Sequence, residues 1–273
     1  MKLLKILKKI ICLLVVFSII SLIGYTYFLS PTNYAISSYQ YTSSKIPSQF
    51  DHFKIALFSD CHIKTNDDIE RFEKMIDDLN DKPFNMVVFG GDLFEDSIFD
   101  GENVSRILKK IDCKYGKFAV LGEKDESLSM EITKILNDGG FEVLNNQNRT
   151  IYYNQEKISL LGLDSNKKAS TLTKKGNKLF NIALVHTPDS FEHNSNTVDL
   201  QLSGHSNGGY FYFPFLGSLV TSDGCETYNH GKYTQGDSTL LITNGVKGTS
   251  DLPYKFLCRN EIKLITLNYE QKV

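Results

Sequence analysis

The sequence has almost no net charge: 30 Lys and Arg stand against 32 Asp and Glu, a formal −2 at pH 7. Nucleic acid is therefore not an expected partner, because its binders usually carry a clearly basic face. Cysteine is sparse, and no two of the five stand in a CxxC pair. That spacing argues against a zinc ribbon or a thioredoxin-like site. Cys12 lies in an apolar N-terminal run, and the other four, Cys61, Cys113, Cys225 and Cys258, allow three pairings between which the sequence does not choose. No internal repeat is present. With 41% apolar and 23% charged residues, the composition is that of a globular protein with room for one large domain and an anchor.

The N-terminus carries Lys2, Lys5, Lys8 and Lys9 ahead of an uncharged stretch from Ile10 to Leu29. Such a run is long enough to span a bilayer. The lysines place the N-terminus in the cytoplasm and everything after Leu29 outside the cytoplasmic membrane. A cleaved signal peptide would need small residues at its end, whereas Tyr27-Phe28-Leu29-Ser30-Pro31 offers no A-x-A pattern. An uncleaved, single-pass signal anchor is the expectation, with residues 1–29 as basic tip and transmembrane helix. Residues 30–49, rich in Ser, Thr and Tyr, read as a stalk leading into an edge strand, and 50–273 as the folded domain.

Within that domain apolar runs at 53–58, 86–89 and 118–121 alternate with helical patterns at 67–79, 104–111 and 129–136. Asp67 serves as the expected N-cap of the first helix and Gly139-Gly140 closes the third. This alternation predicts an α/β fold with parallel strands, whose ligand groups gather at the strand carboxyl ends. After Phe141 strands dominate, at 150–153, 158–163, 182–185, 199–202, 240–243 and 262–267. The Lys- and Asn-rich stretch 165–178 reads as a solvated loop.

The apolar runs stop at residues able to bind metal. The first ends in Asp60-Cys61-His62, the second in Gly90-Gly91-Asp92, and the third in Gly122-Glu123-Lys124-Asp125. Two later runs end in His186 and in Gly204-His205-Ser206-Asn207-Gly208-Gly209. Taken alone, an Asp-x-His is most simply a capping carboxylate beside a surface histidine. Carboxylates and imidazoles converging from separate strands are what a two-metal hydrolytic site requires.

Their order resembles that of the calcineurin-like metallophosphoesterase family, whose motifs read D-x-H, G-D, G-N-H-[DE], H and G-H-x-H. The stretch 202–222, LSGHSNGGYFYFPFLGSLVTS, resembles the LSGHTHGGQ-x-x-x-P-F segment of its membrane-anchored, YkuE-like bacterial branch, and the resemblance covers residues 34–267. It implies a metallophosphoesterase-like fold, a two-sheet β-sandwich core flanked by helices. It also implies a phosphoester hydrolase that uses one or two divalent ions (Mn, Fe, Zn, Mg or Ca) to activate water for attack on phosphorus. By the same resemblance Asp60 and His62 serve the first ion, Asp92 bridges, and His186 and His205 serve the second.

Three positions depart from the pattern. Glu123 replaces the Asn ligand of the second ion, Lys124 replaces the neighbouring His, and Asn207 replaces the second His of G-H-x-H. Asp125 keeps the carboxylate that would orient the missing His. Glu123 still offers oxygen, which suits Mn, Mg or Ca better than Zn, while Asn207 offers a neutral carbonyl in place of imidazole. Lys124 steadies phosphate charge but gives up a proton far less readily than imidazolium does. Slow phosphoester hydrolysis is the expected activity, on a phosphorylated small molecule, lipid or cell-wall polymer. The alternative is a pseudoenzyme that binds an anionic or phosphorylated ligand without turning it over.

Overall fold

Alternation along Lys54–Phe58 sends Ile55 and Leu57 to one side of a strand and Ala56 and Phe58 to the other, and all four are buried. A strand apolar on both faces must be covered twice, as parallel sheets are. The computed structural model describes residues 2–164 and 179–271. The predicted loop at 165–178 lies outside them.

Two six-stranded sheets make the body. In the first, β1 (Tyr34–Ser43), β14 (Asn260–Tyr269), β2 (Lys54–Phe58), β3 (Met86–Phe89), β4 (Lys117–Ala119) and β5 (Glu142–Val143) lie in that spatial order. Strands β2 to β5 are mutually parallel, and β14 runs antiparallel to β2 and parallel to β1. The second sheet is ordered β12 (Lys232–Gln235), β13 (Ser238–Ile242), β9 (Leu200–Ser203), β8 (Asn181–Val185), β7 (Glu156–Leu163) and β6 (Gln147–Tyr153). Its four inner strands are parallel and both edges antiparallel. A short hairpin, β10 (Tyr212–Phe213) with β11 (Gly217–Ser218), stands outside both.

The inner faces meet in one core, with Ile55, Leu57, Met86 and Val88 against Leu160, Ile182, Leu184 and Leu202. Ala56, Phe58, Val87 and Phe89 turn outward under α2 (Asn66–Asn80), α3 (Gly101–Lys109) and α4 (Ser129–Asp138), whose Phe72, Met75, Ile107, Leu108 and Leu136 cover them. The expected two-sheet α/β architecture is thus the one observed. Of the boundaries, the cap of α2 is corrected: Thr65, not Asp67, precedes the helix, accepting from the Asp68 N–H while the Asp68 carboxylate accepts from the Thr65 N–H. This capping box satisfies two backbone donors at once, which a lone Asp67, two residues later and already inside the helix, does not. Strand β12 was absent from the sequence reading because its Lys-Tyr-Thr-Gln is a solvent-facing antiparallel edge without an apolar face. All five cysteines are free thiols.

Helix α1 (Lys2–Gly24) continues through a wider turn at Tyr25–Leu29. The span Leu3–Leu29 is 27 residues, none of it buried in the rest of the protein. Its uncharged part, Ile10–Leu29, reaches roughly 30 Å at ~1.5 Å per residue, which matches the hydrocarbon thickness of a bilayer. Its lower end is fixed to the domain. Buried Ser30 accepts from the Lys255 N–H at 2.9 Å and donates to the Lys255 carbonyl, and the Asn260 amide donates to the carbonyls of Ser30, Pro31 and Asn33, each at 3.3 Å.

Lys255 itself is buried, its ammonium donating to the Asn244 carbonyl. Burial pulls it down from its ordinary 10.5 to about 8. The folded protein therefore gives up this proton before the unfolded chain does. Between about 8 and 10.5 the unfolded chain binds more protons, so stability rises with pH across that window, and the cost of burying the charge is fully present below it. The denaturant midpoint of the wild type, taken relative to Lys255→Met so that other titrations cancel, is expected to climb over this range. A pH-independent difference would contradict the assignment.

Candidate metal centre

The turns that follow β2, β3 and β9 share an uncommon backbone. Asp60, His62, Asp92, His205 and Asn207 all have positive φ, between 45° and 66°. Non-glycine residues rarely adopt this conformation, and a cluster of five marks a place where side-chain aim has overridden backbone preference. The segments after β2 and β3 run side by side: the Asp60 N–H donates to the Gly91 carbonyl, the Cys61 N–H to the Asp92 carbonyl, and Ile63 bridges Phe94. Close approach needs glycine at two neighbouring points. A Cβ on Gly122 would stand 2.1 Å from Asp92 Oδ1, and one on Gly204 would stand 2.2 Å from Ser59 Oγ and 2.7 Å from Asp60 Oδ2.

The result is two buried groups of potential ligands that share one residue. Asp60, His62 and Asp92 bring ligand atoms within 4.8 Å of one another, and so do Asp92, His186 and His205. His186 Nδ1 lies 2.6 Å from the Gly90 carbonyl, and His205 Nε2 lies 2.7 Å from the Asp223 carbonyl. Each carbonyl takes one ring proton, which leaves the other nitrogen as a lone pair, the usual way a ligating histidine is fixed. Those other nitrogens, His186 Nε2 and His205 Nδ1, face each other at 3.2 Å. His62 Nε2 and Asn207 Oδ1 are buried with no hydrogen-bond partner among the described residues. Orphaned buried acceptors are costly unless something satisfies them, and these belong to residues of an Asp/His set suited to divalent ions. The residues present therefore fit a metal centre.

The electrostatics agree with that donor set. Burial would raise the Asp92 carboxyl, yet His186 at 3.4 Å and His62 hold it well below the ordinary carboxylate range. For His186 burial opposes charge, but Asp92 and Asp60 push it up to about 10. Metal would take the place of that proton, since ligation needs neutral imidazole.

The other predicted positions sit around this centre. Glu123 is half-exposed at the rim, 3.8 Å from His205 Nδ1. The Lys124 N–H donates to Asp92 Oδ1 at 3.0 Å, while its ammonium turns to Glu95 Oε1 at 3.6 Å. Asp125 is fully buried and accepts backbone N–H groups from Asp92, Leu93 and Gly122 at 2.8 to 3.0 Å. Burial and the charge of Asp92 push its carboxyl up to about 6. In this chain it orients the backbone beneath Asp92 rather than a histidine. Sequence reasoning missed Glu95, buried, 3.0 Å from His62 Nδ1 and held down to about 2, against its burial, chiefly by that histidine. The available signal was an acidic residue three positions beyond Asp92, on the segment paired with the one carrying His62.

The calcineurin-like phosphoesterase model matches residues 53–209, which include every predicted site residue. The chain is 31% identical over 255 residues to the uncharacterized metallophosphoesterase YkuE of Bacillus subtilis, covering 89% of each. An uncharacterized metallophosphoesterase of Helicobacter pylori is 28% identical over 78% of this chain, which spans 59% of that relative's length. Among solved structures, the sulfate thiohydrolase SoxB of Thermus thermophilus aligns with a TM-score of 0.44 at 10% identity, over 80% of this chain and 57% of that one.

Proposed function

Because the chain belongs to the calcineurin-like phosphoesterase family, we propose that it is a membrane-anchored hydrolase that cleaves phosphoesters on the outer side of the cytoplasmic membrane. The observation that carries the reading is Asp92, common to both buried Asp/His groups. We assign Asp60 and His62 to one divalent ion, His186 and His205 to the other, and Asp92 to both, with Asn207 and Glu123 as weaker oxygen donors. When bound, such ions supply the Lewis acidity that activates water and steadies charge on the phosphoryl oxygens. The protein's own part is positional. Glu95 orients His62, the Gly90 and Asp223 carbonyls fix the tautomers of His186 and His205, and Asp125 holds the turn beneath Asp92. Lys124 adds a cation at the mouth, where a phosphate oxygen arrives. Phosphoester turnover after chelation and after resupply of divalent metal tests this assignment.

For location, the support is the uncharged run Ile10–Leu29, which follows the lysine cluster within the helical span Leu3–Leu29. Residues 1–29 then form tip and anchor, 30–49 stalk and edge strand, and 50–273 the outer domain. Protease added to intact protoplasts is expected to remove that domain. Survival of full-length protein while a cytoplasmic control is also intact would reverse the topology.

A further inference from the structure

Helix α1 joins the body at the end of the sheet that carries the site. Strand β1 begins at Tyr34 opposite Asn260, the first residue of β14, and β14 runs antiparallel to β2, so its start lies beyond Phe58 on the side of Asp60. A bilayer around α1 therefore faces the metal-binding end of the domain, not the far end where β6 turns into β7.

At that same end the chain exposes apolar side chains. From Ser206 to Ser222 there is no charged residue. The β10–β11 hairpin lies inside this stretch, with Phe215 at its tip fully exposed, Leu216 80% exposed and Leu219 more than half exposed; Leu257, next to Phe256 in sequence, is more than half exposed as well. Water is a poor solvent for such a cluster, and exposed contiguous apolar surface marks an interaction site. The hairpin is continuous with the helix. Phe213 packs on Phe256 at 5.1 Å between ring centres, Phe211 bridges Phe256, and Tyr254 stacks on Tyr27 of the helical span at 5.0 Å. Together with Leu22 and Ile23 of α1 they line an apolar cleft of about 310 Å³.

The hairpin is equally close to the site. Val220, Thr221 and Ser222, one residue beyond it, wall the cavity that holds His62, Asp92, Lys124 and His205. Ser222 Oγ lies 3.4 Å from His205 Nε2.

Resting on the membrane-anchor reading above, we propose that the β10–β11 hairpin docks into the outer leaflet beside α1, and that the phosphoester taken by this site is one carried on a membrane lipid. Phe215 and Leu216 enter the boundary between headgroups and acyl chains, as the apolar faces of interfacial segments do. Ser30, Lys255 and Asn260 hold helix and domain in fixed relation, so the mouth stays against the headgroup layer. A lipid phosphate then reaches the metal-binding residues without leaving the bilayer.

The chain contains no tryptophan, so Phe215→Trp and Tyr152→Trp each create a single reporter, the second on an exposed strand at the opposite end of the sheets. The full chain is reconstituted into phosphatidylcholine–phosphatidylglycerol vesicles with brominated acyl chains. Trp emission is expected to be quenched about twofold or more at 215, and little at 152, as burial at the acyl boundary requires. Equal, weak quenching at both positions in protein that still floats with the vesicles overturns the docking while leaving the anchor intact. Protein that does not float with vesicles overturns the anchor and the docking with it. As a second arm, Phe215→Ser with Leu216→Ser should slow hydrolysis of vesicle-borne phosphatidic acid about tenfold while keeping p-nitrophenyl phosphate turnover. Equal loss on both, or no turnover of the vesicle lipid by the wild type, overturns the lipid substrate.

Discussion

Asp92→Asn in the full-length protein is expected to strip bound divalent metal and to cut phosphoester turnover by at least about 100-fold, since even residues that only orient a ligand typically cost 10–100-fold in metal affinity or activity. Among the described residues Asp92 is common to both groups that could hold an ion, so its loss should affect both. The substitution keeps an oxygen to accept the Lys124 N–H, which separates loss of charge from loss of the turn. In the opposite direction, Asn207→His is expected to raise metal content, because Asn207 places a lone, partnerless carbonyl oxygen where an imidazole nitrogen would bind more tightly. Elemental analysis of the purified proteins checks both. Unchanged metal in Asp92→Asn would remove it from the centre.

Lys124→His combined with Glu123→Asn is expected to raise turnover by about 100-fold, the lower end of what a matched general acid contributes. In the wild type the Lys124 ammonium is drawn toward Glu95, and an ammonium there serves charge better than proton transfer. An imidazole in its place can protonate a leaving oxygen near neutral pH. Single-turnover and steady-state rates on a phosphomonoester measure the gain. If Lys124→His alone instead weakens binding of inorganic phosphate and yields no turnover, the site is a binding pocket and the hydrolase reading gives way to it.

Much of the site is legible in the sequence alone. Apolar runs ending at Asp60, Asp92, His186 and His205 predicted strand ends, and those strands are parallel and adjacent where it matters: β2 beside β3, β8 beside β9. The sequence pattern worked because strands buried on both faces read as continuous apolar runs. What stayed hidden depends on partners distant in sequence. Glu95 gains meaning only because the turn after β3 lies against the turn after β2. The carbonyls of Gly90 and Asp223 are backbone groups, invisible in side-chain patterns, yet they decide which nitrogen of each histidine is free. Glu123 looked equivalent to its neighbours but projects to the rim. The hairpin at Tyr212–Ser218 carried an apolar signal without the length of a strand, and only its place beside α1 gives that signal a use.

The proposed hydrolytic site, built on Asp60, His62, Asp92, His186 and His205, depends on divalent metal. The most direct test of that dependence is phosphoester turnover by the purified full-length protein after chelation and after separate resupply of Mn, Mg, Fe, Zn or Ca, beside a His186→Ala, His205→Ala variant. Turnover is expected to disappear on chelation, to return with at least one of these ions, and to be absent from the variant under every condition. Turnover in the variant equal to the wild type, or none in the wild type with any of the five metals, would contradict the proposed site.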